Sequence, residues 1–300
     1  MNRHAMTVNG ANEPSIPTRR ELLKLARVGD TDSQYRLGCS YDFDSPRDRK
    51  RAVHWYQKAA AQGNADAQNL LGECYREGVG VRRDRRAAMK WFQAAAMQGD
   101  ASAQLSLGHM LFYGRGQKQD RRQALRLYRQ AVKGGEIRAA YNIGLMYRHG
   151  DGVEKNLQRA IHWFRRAATQ GHTAAADMLS RIYGGEEGYP VRPVPAYRWY
   201  LTAAERGSVD AMCSLGVCYF NGAGTTRDRE AAARCYRSAA EREHGWACYL
   251  LGLCYRDGQG VRRNLRVAEH WFQKASKHRV RQALSALQKL SKLRVTLNNK

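Results

Sequence analysis

The chain has 300 residues, 43% of them hydrophobic, and 51 Lys and Arg against 27 Asp and Glu give a formal net charge of +24. The apolar fraction suffices for a packed core and excludes a disordered polyelectrolyte, while the basic excess points to acidic partners, nucleic acid or an anionic surface. No stretch approaches transmembrane length, residues 1–17 lack the apolar run of a secretory signal, and seven cysteines without framework spacing exclude a disulfide scaffold, so composition predicts a cytoplasmic protein with no membrane span.

In chain order, residues 1–17 carry Pro14 and Pro17 and no hydrophobic period, and read as a flexible leader. Thr18-Arg19-Arg20-Glu21 fits a capping box, predicting an N-terminal capping helix over 18–30 with Leu22, Leu23, Leu25 and Ala26 along it. From residue 31 one unit repeats, most clearly between Ala65 and Asp100. There Ala67, Leu70, Leu71, Cys74 and Tyr75 fall three and four residues apart and predict a helix over 65–77. Gly78-Val79-Gly80-Val81 breaks it, and Asp84 caps a second helix from near Arg85, whose apolar face is Ala88, Trp91, Phe92, Ala95 and Ala96.

Gly72 recurs as Gly108, Gly144, Ser180, Gly216 and Gly252 at intervals of 36, and Gly38 precedes it by 34. The units are 31–64, 65–100, 101–136, 137–172, 173–208, 209–244 and 245–280. One such hairpin cannot bury its apolar face alone. Seven in series predict an all-α fold, a right-handed α–α superhelix (solenoid) of helix-turn-helix repeats in one quasi-linear body, closed at its far end by a capping helix over 281–293 and a basic tail to residue 300.

LLGECYREGVGVRRD followed by WFQAAAMQGD closely resembles the Sel-one-like (Sel1-like) repeat family, a branch of the tetratricopeptide superfamily, and the resemblance covers residues 31–280. It implies a scaffold or adaptor for partner proteins and no particular reaction or ligand.

Two units vary. In the third, Leu111 and Leu127 replace the usual Tyr and Trp and keep the core apolar. In the fifth, Ser180 replaces the helix glycine and the loop GGEEGYPVRPVP over 184–195 holds three prolines, which predicts a second helix delayed to Val194–Ala196. That loop is either a tolerated variant or a protruding contact element. Cys74, Cys218 and Cys254 share a core column with Met110, Met146 and Ile182 and read as buried, reduced thiols.

In tetratricopeptide-type hairpins the first helices line a concave face, and four columns, those of Asp66, Asn69, Glu73 and Arg76, would line it here. The candidate partner-binding groove drawn from them is Tyr35, Asn69, Glu73, Arg76, Leu105, His109, Phe112, Tyr141, Arg148, Arg181, Phe220, Trp246, Tyr249 and Arg256. Over the four columns five Arg meet six acids, among them Asp32, Asp42 and Asp177, so the face is near neutral, and its aromatics suit protein recognition or the padding of neighbouring hairpins. A basic stripe falls in the loops and first turns of the second helices: Arg47, Arg49, Lys50, Arg51, Arg82, Arg83, Arg85, Arg86, Arg121, Arg122, Arg262 and Arg263. It is either a solvated face or an electrostatic contact for an acidic protein or nucleic acid.

Glycine pairs such as Gly78/Gly80 recur once per unit after helices and are turns rather than phosphate loops; His54, His162 and His270 lie on separate units. No CxxC, HExxH, P-loop or catalytic triad occurs, so the expectation is a non-catalytic protein without metal or cofactor.

Overall fold

The computed structural model describes residues 17–41 and 45–298. Most of the expected leader, Asp42 of the fourth column and the last two residues of the tail lie outside the described residues. Among the described residues there are sixteen α-helices and no strand. Helix α1 (Arg19–Arg27) precedes seven hairpins: α2 (Thr31–Cys39) with α3 (Pro46–Ala61), α4 (Ala65–Glu77) with α5 (Arg85–Met97), α6 (Ala101–Tyr113) with α7 (Arg121–Lys133), α8 (Ile137–His149) with α9 (Leu157–Thr169), α10 (Thr173–Tyr183) with α11 (Pro193–Glu205), α12 (Val209–Asn221) with α13 (Arg229–Glu241), and α14 (Gly245–Asp257) with α15 (Leu265–Lys277). Helix α16 (Arg281–Asn298) follows.

The helix ends obey local chemistry. Thr18 makes the full capping box, its N–H donating to Glu21 Oε2 at 2.8 Å. Asp84 Oδ1 accepts from the Arg86 and Ala87 amides at 2.9 and 3.0 Å, and the Asp84 N–H itself returns to the Tyr75 carbonyl at 2.9 Å, closing the loop. The same closure joins Asp120 to Leu111 and Asn264 to Tyr255.

Hairpin packing explains the glycine period. A Cβ on Gly72 would stand 2.7 Å from the Phe92 ring, and one on Gly252 would stand 2.5 Å from Phe272. The first helix can therefore lie against its partner's ring only without a side chain there. In the loop, Gly80 has φ +70°, and a Cβ would approach the Arg49 carbonyl of the preceding hairpin to 2.6 Å.

The chain divides into two compact units, residues 1–139 and 140–300, with the division inside α8, where composition shows no break. In the first, Val53, Tyr56, Leu71 and Cys74 form a buried cluster spanning consecutive hairpins. In the second, Tyr236, Cys248, Leu251 and Cys254 do the same, and Ala286 and Leu290 of α16 cover Phe272 of α15. The column of Cys74, Met110, Met146, Ile182, Cys218 and Cys254 is buried throughout. Burial pushes the Cys74, Cys218 and Cys254 thiols up to about 11, so they are protonated at neutral pH.

Two boundaries differ from expectation. Helix α11 is not delayed: it starts at Pro193, in phase with Leu157 and Arg229 of the neighbouring repeats. Proline is at no disadvantage in the first helical position, where its missing N–H would have had no intrahelical partner, and the Arg192 N–H still donates to the Tyr183 carbonyl at 2.8 Å. The irregularity is absorbed upstream, where α10 ends after 11 residues and a 3₁₀ turn follows at Glu186–Gly188. Helix α16 runs on through residues 294–298, expected as tail, because no Gly or Pro interrupts it.

Candidate partner-binding face

The face is built from the first helices, most of them held by a side-chain N-cap, an αL glycine at the C-terminus and the ring beneath a mid-helix glycine; α2 and α10 end instead at Ser40 and Gly184 in the right-handed region, and α10 carries Ser180 in place of the glycine. In the first unit, Tyr35 is half-buried, and burial followed by the charge and hydrogen bond of Cys39 pushes its hydroxyl up to about 12. Glu73 accepts from Ser106 Oγ at 3.0 Å and pairs with Arg76, which also binds Glu77 at 2.7 Å. Burial raises the Glu73 carboxyl above the usual range in spite of Arg76. Asn69 Oδ1 beside it is buried and meets no donor among the described residues. His109 stands edge-on to Tyr128 at 5.6 Å, and Phe112 edge-on to Tyr113 at 4.9 Å. Leu105 is only 3% exposed and belongs to the core rather than to the face expected for it.

In the second unit, Tyr141 stacks on His172 with ring centroids 4.6 Å apart. Arg148 Nη1 donates to Met178 Sδ at 2.7 Å, and its side chain is 12% exposed. Arg181 pairs with Glu186 at 2.6 Å. Arg256 grips Asp257 with two bonds of 2.7 Å. Phe220 is half-buried, whereas Trp246 is 41% exposed and lies 5.1 Å from Tyr249, which leans on Phe272 at 5.8 Å. The helix dyads thus leave one open aromatic at the start of α14, with packed aromatics behind it.

The basic stripe is exposed except at the half-buried Arg49 and Arg121. Two of its members have structural work that sequence reading missed. Arg83 Nε donates to the Arg76 carbonyl at 2.9 Å and Arg263 Nε to the Arg256 carbonyl at 3.1 Å, each satisfying the end of a first helix; Arg227 repeats this on Phe220 at 3.0 Å. The recurring separation of seven residues was the available signal. Nor are stripe and aromatic face wholly separate: Arg121 lies 5.3 Å over Phe112 and Arg229 5.9 Å over Phe220. Arg51 pairs with Asp48 at 3.0 Å. Arg82, Arg83, Arg85 and Arg86 line a cleft of about 930 Å³ with Tyr75, Val81 and Gly116, and its one carboxylate, Asp84, is engaged in capping α5.

Among the described residues no three His, Cys, Asp or Glu side chains are disposed to hold a metal ion, and no helix is long and apolar enough to cross a membrane.

The comparisons with known proteins follow the repeat. No curated protein matches the chain. Among solved structures, the protective antigen c5321 of uropathogenic Escherichia coli, which displays an SLR fold, is 32% identical with a TM-score of 0.80 over 89% of this chain. The present chain spans 58% of that antigen's length. A Sel1 repeat protein from Oxalobacter formigenes is 28% identical with a TM-score of 0.62, over 86% of this chain and 96% of its own. The Sel1 repeat matches at 31–64, 65–100, 101–136, 137–172, 174–208, 209–244 and 247–279, and with seven copies on an all-α repeat solenoid the chain belongs to the Sel1 repeat family.

Proposed function

We propose that the chain is a non-catalytic scaffold that binds a protein partner along the outward face of its first helices. The observation that carries this reading is Trp246, 41% exposed at the head of α14 and backed by Tyr249 and Phe272, whereas the other aromatics of the face, Tyr35, Phe112, Tyr141, Phe220 and Tyr249, are half-buried. A rigid aromatic with a packed foundation is the usual anchor of a protein interface. Tyr141 and Phe220 extend the face within the second unit, and Arg148 and Arg256, already fixed by neighbours, orient it. The test is a pull-down of the full chain from native lysate at two salt concentrations with nuclease, using Trp246→Ala with Tyr249→Ala. Retention of every captured protein by the double variant would remove the face as the binding surface.

A second reading is favoured by the arginine cleft. Arg82, Arg85 and Arg86 have no carboxylate partner among the described residues, and the N-terminus of α5 adds its dipole. A polyanion such as single-stranded RNA would neutralise them. Reversal of all three to Glu is expected to reduce the slope of log affinity against log salt by about 2, from three contacts at ~0.7 each. An unchanged slope for a labelled oligonucleotide would discard this reading.

A further inference from the structure

Two cavities in the second unit occupy the same place in successive repeats. One, of about 140 Å³, is lined by Phe220, Leu250, Leu253 and Gln259 among others. The other, of about 260 Å³, includes Gly184, Ser214, Val217 and Ala223. These four residues precede the first four by 36 positions, and six of the seven lining positions of the smaller cavity recur in the larger one. At two other equivalent places the space is filled from within. Between α4 and α6 the Arg76–Glu73 pair and the Ser106 hydroxyl close it, and between α8 and α10 the Arg148 guanidinium lies on Met178. At the two cavities the arginine of the fourth column is replaced by Gly184 and Phe220; Phe112 holds the same column in the third repeat.

The two cavities differ in chemistry. The smaller has mostly apolar walls, with Asp257 at one side held by Arg256, and a buried acceptor, Gln259 Oε1, that meets no donor among the described residues. A buried acceptor left unmatched costs free energy that an incoming donor would recover. Its volume far exceeds the ~10–15 Å³ a single water requires and is close to that of a cavity that takes a benzene ring. The larger is walled by Val191 and Pro193, so the proline-rich loop forms one side of it. At the rim Arg229 has no carboxylate partner among the described residues and lies over Phe220.

We infer that repeats five to seven carry a pair of side-chain sockets for one partner segment: a peptide with an aliphatic anchor for the Gly184 socket, a donor-bearing aromatic such as tyrosine for the Gln259 socket, and acidic flanks facing Arg229. The inference rests on the protein-binding reading and names its anchors. The test selects a displayed library of random twelve-residue peptides on the full chain, then measures each selected peptide on four variants. Val217→Arg and Gly184→Arg place in the larger socket the kind of side chain that closes it elsewhere; Val217→Arg, at a half-buried surface position, serves if Gly184→Arg fails to fold. Gln259→Leu removes the acceptor, and Trp246→Ala tests the wider face. Peptides with two such anchors, weakened at least about tenfold by Val217→Arg and exchanging a tyrosine preference for phenylalanine on Gln259→Leu, are the expected result. Peptides indifferent to the socket variants but lost on Trp246→Ala would overturn the sockets and leave the binding face standing. Peptides indifferent to all four would overturn both, and a library yielding no binder would overturn the sockets.

Discussion

Glu73 shows how a single residue reports on the face it occupies. Its carboxyl is raised by burial more than Arg76 and Ser106 lower it. Across the window from the ordinary carboxylate range up to that raised value, the native state holds more protons than the unfolded chain, so stability falls as pH rises. Glu73→Gln is therefore expected to be more stable than the parent at pH 7 and to lose that advantage below about pH 4, as read from denaturant melts at both pH values. His244 makes a second prediction. Its Nδ1 accepts from the Ala247 amide at 3.0 Å while Nε2 meets Asp210 at 3.1 Å, an unusual N-cap for α14. His244→Ala is expected to cost about 1 kcal/mol in thermal or chemical unfolding, and His244→Asn, which keeps an acceptor, close to nothing. At this scale the register of the columns follows from the period of the repeat, but the exposure of their members does not. Nothing local distinguishes the buried Leu105 from the open Trp246, both on first helices, and Arg83 reads as free charge in the sequence although its Nε meets the Arg76 carbonyl.

The helical elements were the most legible part of the chain. Caps, αL glycines and apolar spacing are all local, and α4 and α5 begin and end where those signals stand. The mid-helix glycine carries a packing prediction. Gly72→Ala would gain about 1 kcal/mol of helix propensity but drive a methyl group into the Phe92 ring, at a cost of about 1–3 kcal/mol, so a net loss of stability is expected. Ser180→Ala, in the one repeat that already accommodates a Cβ there, is expected to shift the unfolding midpoint only slightly; a large loss would show that its 2.6 Å bond to the Asp177 carbonyl is required. The proline loop misled because proline was weighed as a breaker, when in the first turn of α11 it is compatible with the helix.

For the molecule as a whole, repetition means that stability comes from neighbours, and terminal surfaces need covers. Helix α16 is one: its Ala286 and Leu290 shield Phe272, which is fully buried. Truncation before residue 281 is expected to expose that ring, lower the unfolding midpoint and promote concentration-dependent association in light scattering. An unchanged monodisperse profile would show that α16 is dispensable. The charge of +24 belongs to the same scale: association with any acidic partner is expected to be faster at low salt and to slow as salt rises, whichever surface is met.

The sequence by itself determined the period, the hairpin boundaries, the buried columns and the family, because helix caps, glycine turns and a 3.6-residue apolar spacing act over a few residues and were each written several times over. The tertiary structure alone decided which face residues stay open, which arginines are tied to helix ends, and where cavities remain between repeats. Those outcomes depend on side chains brought together from about half to one repeat away in sequence, where an exchange such as Gly184 for the arginine of the preceding repeat changes what is present to fill a space.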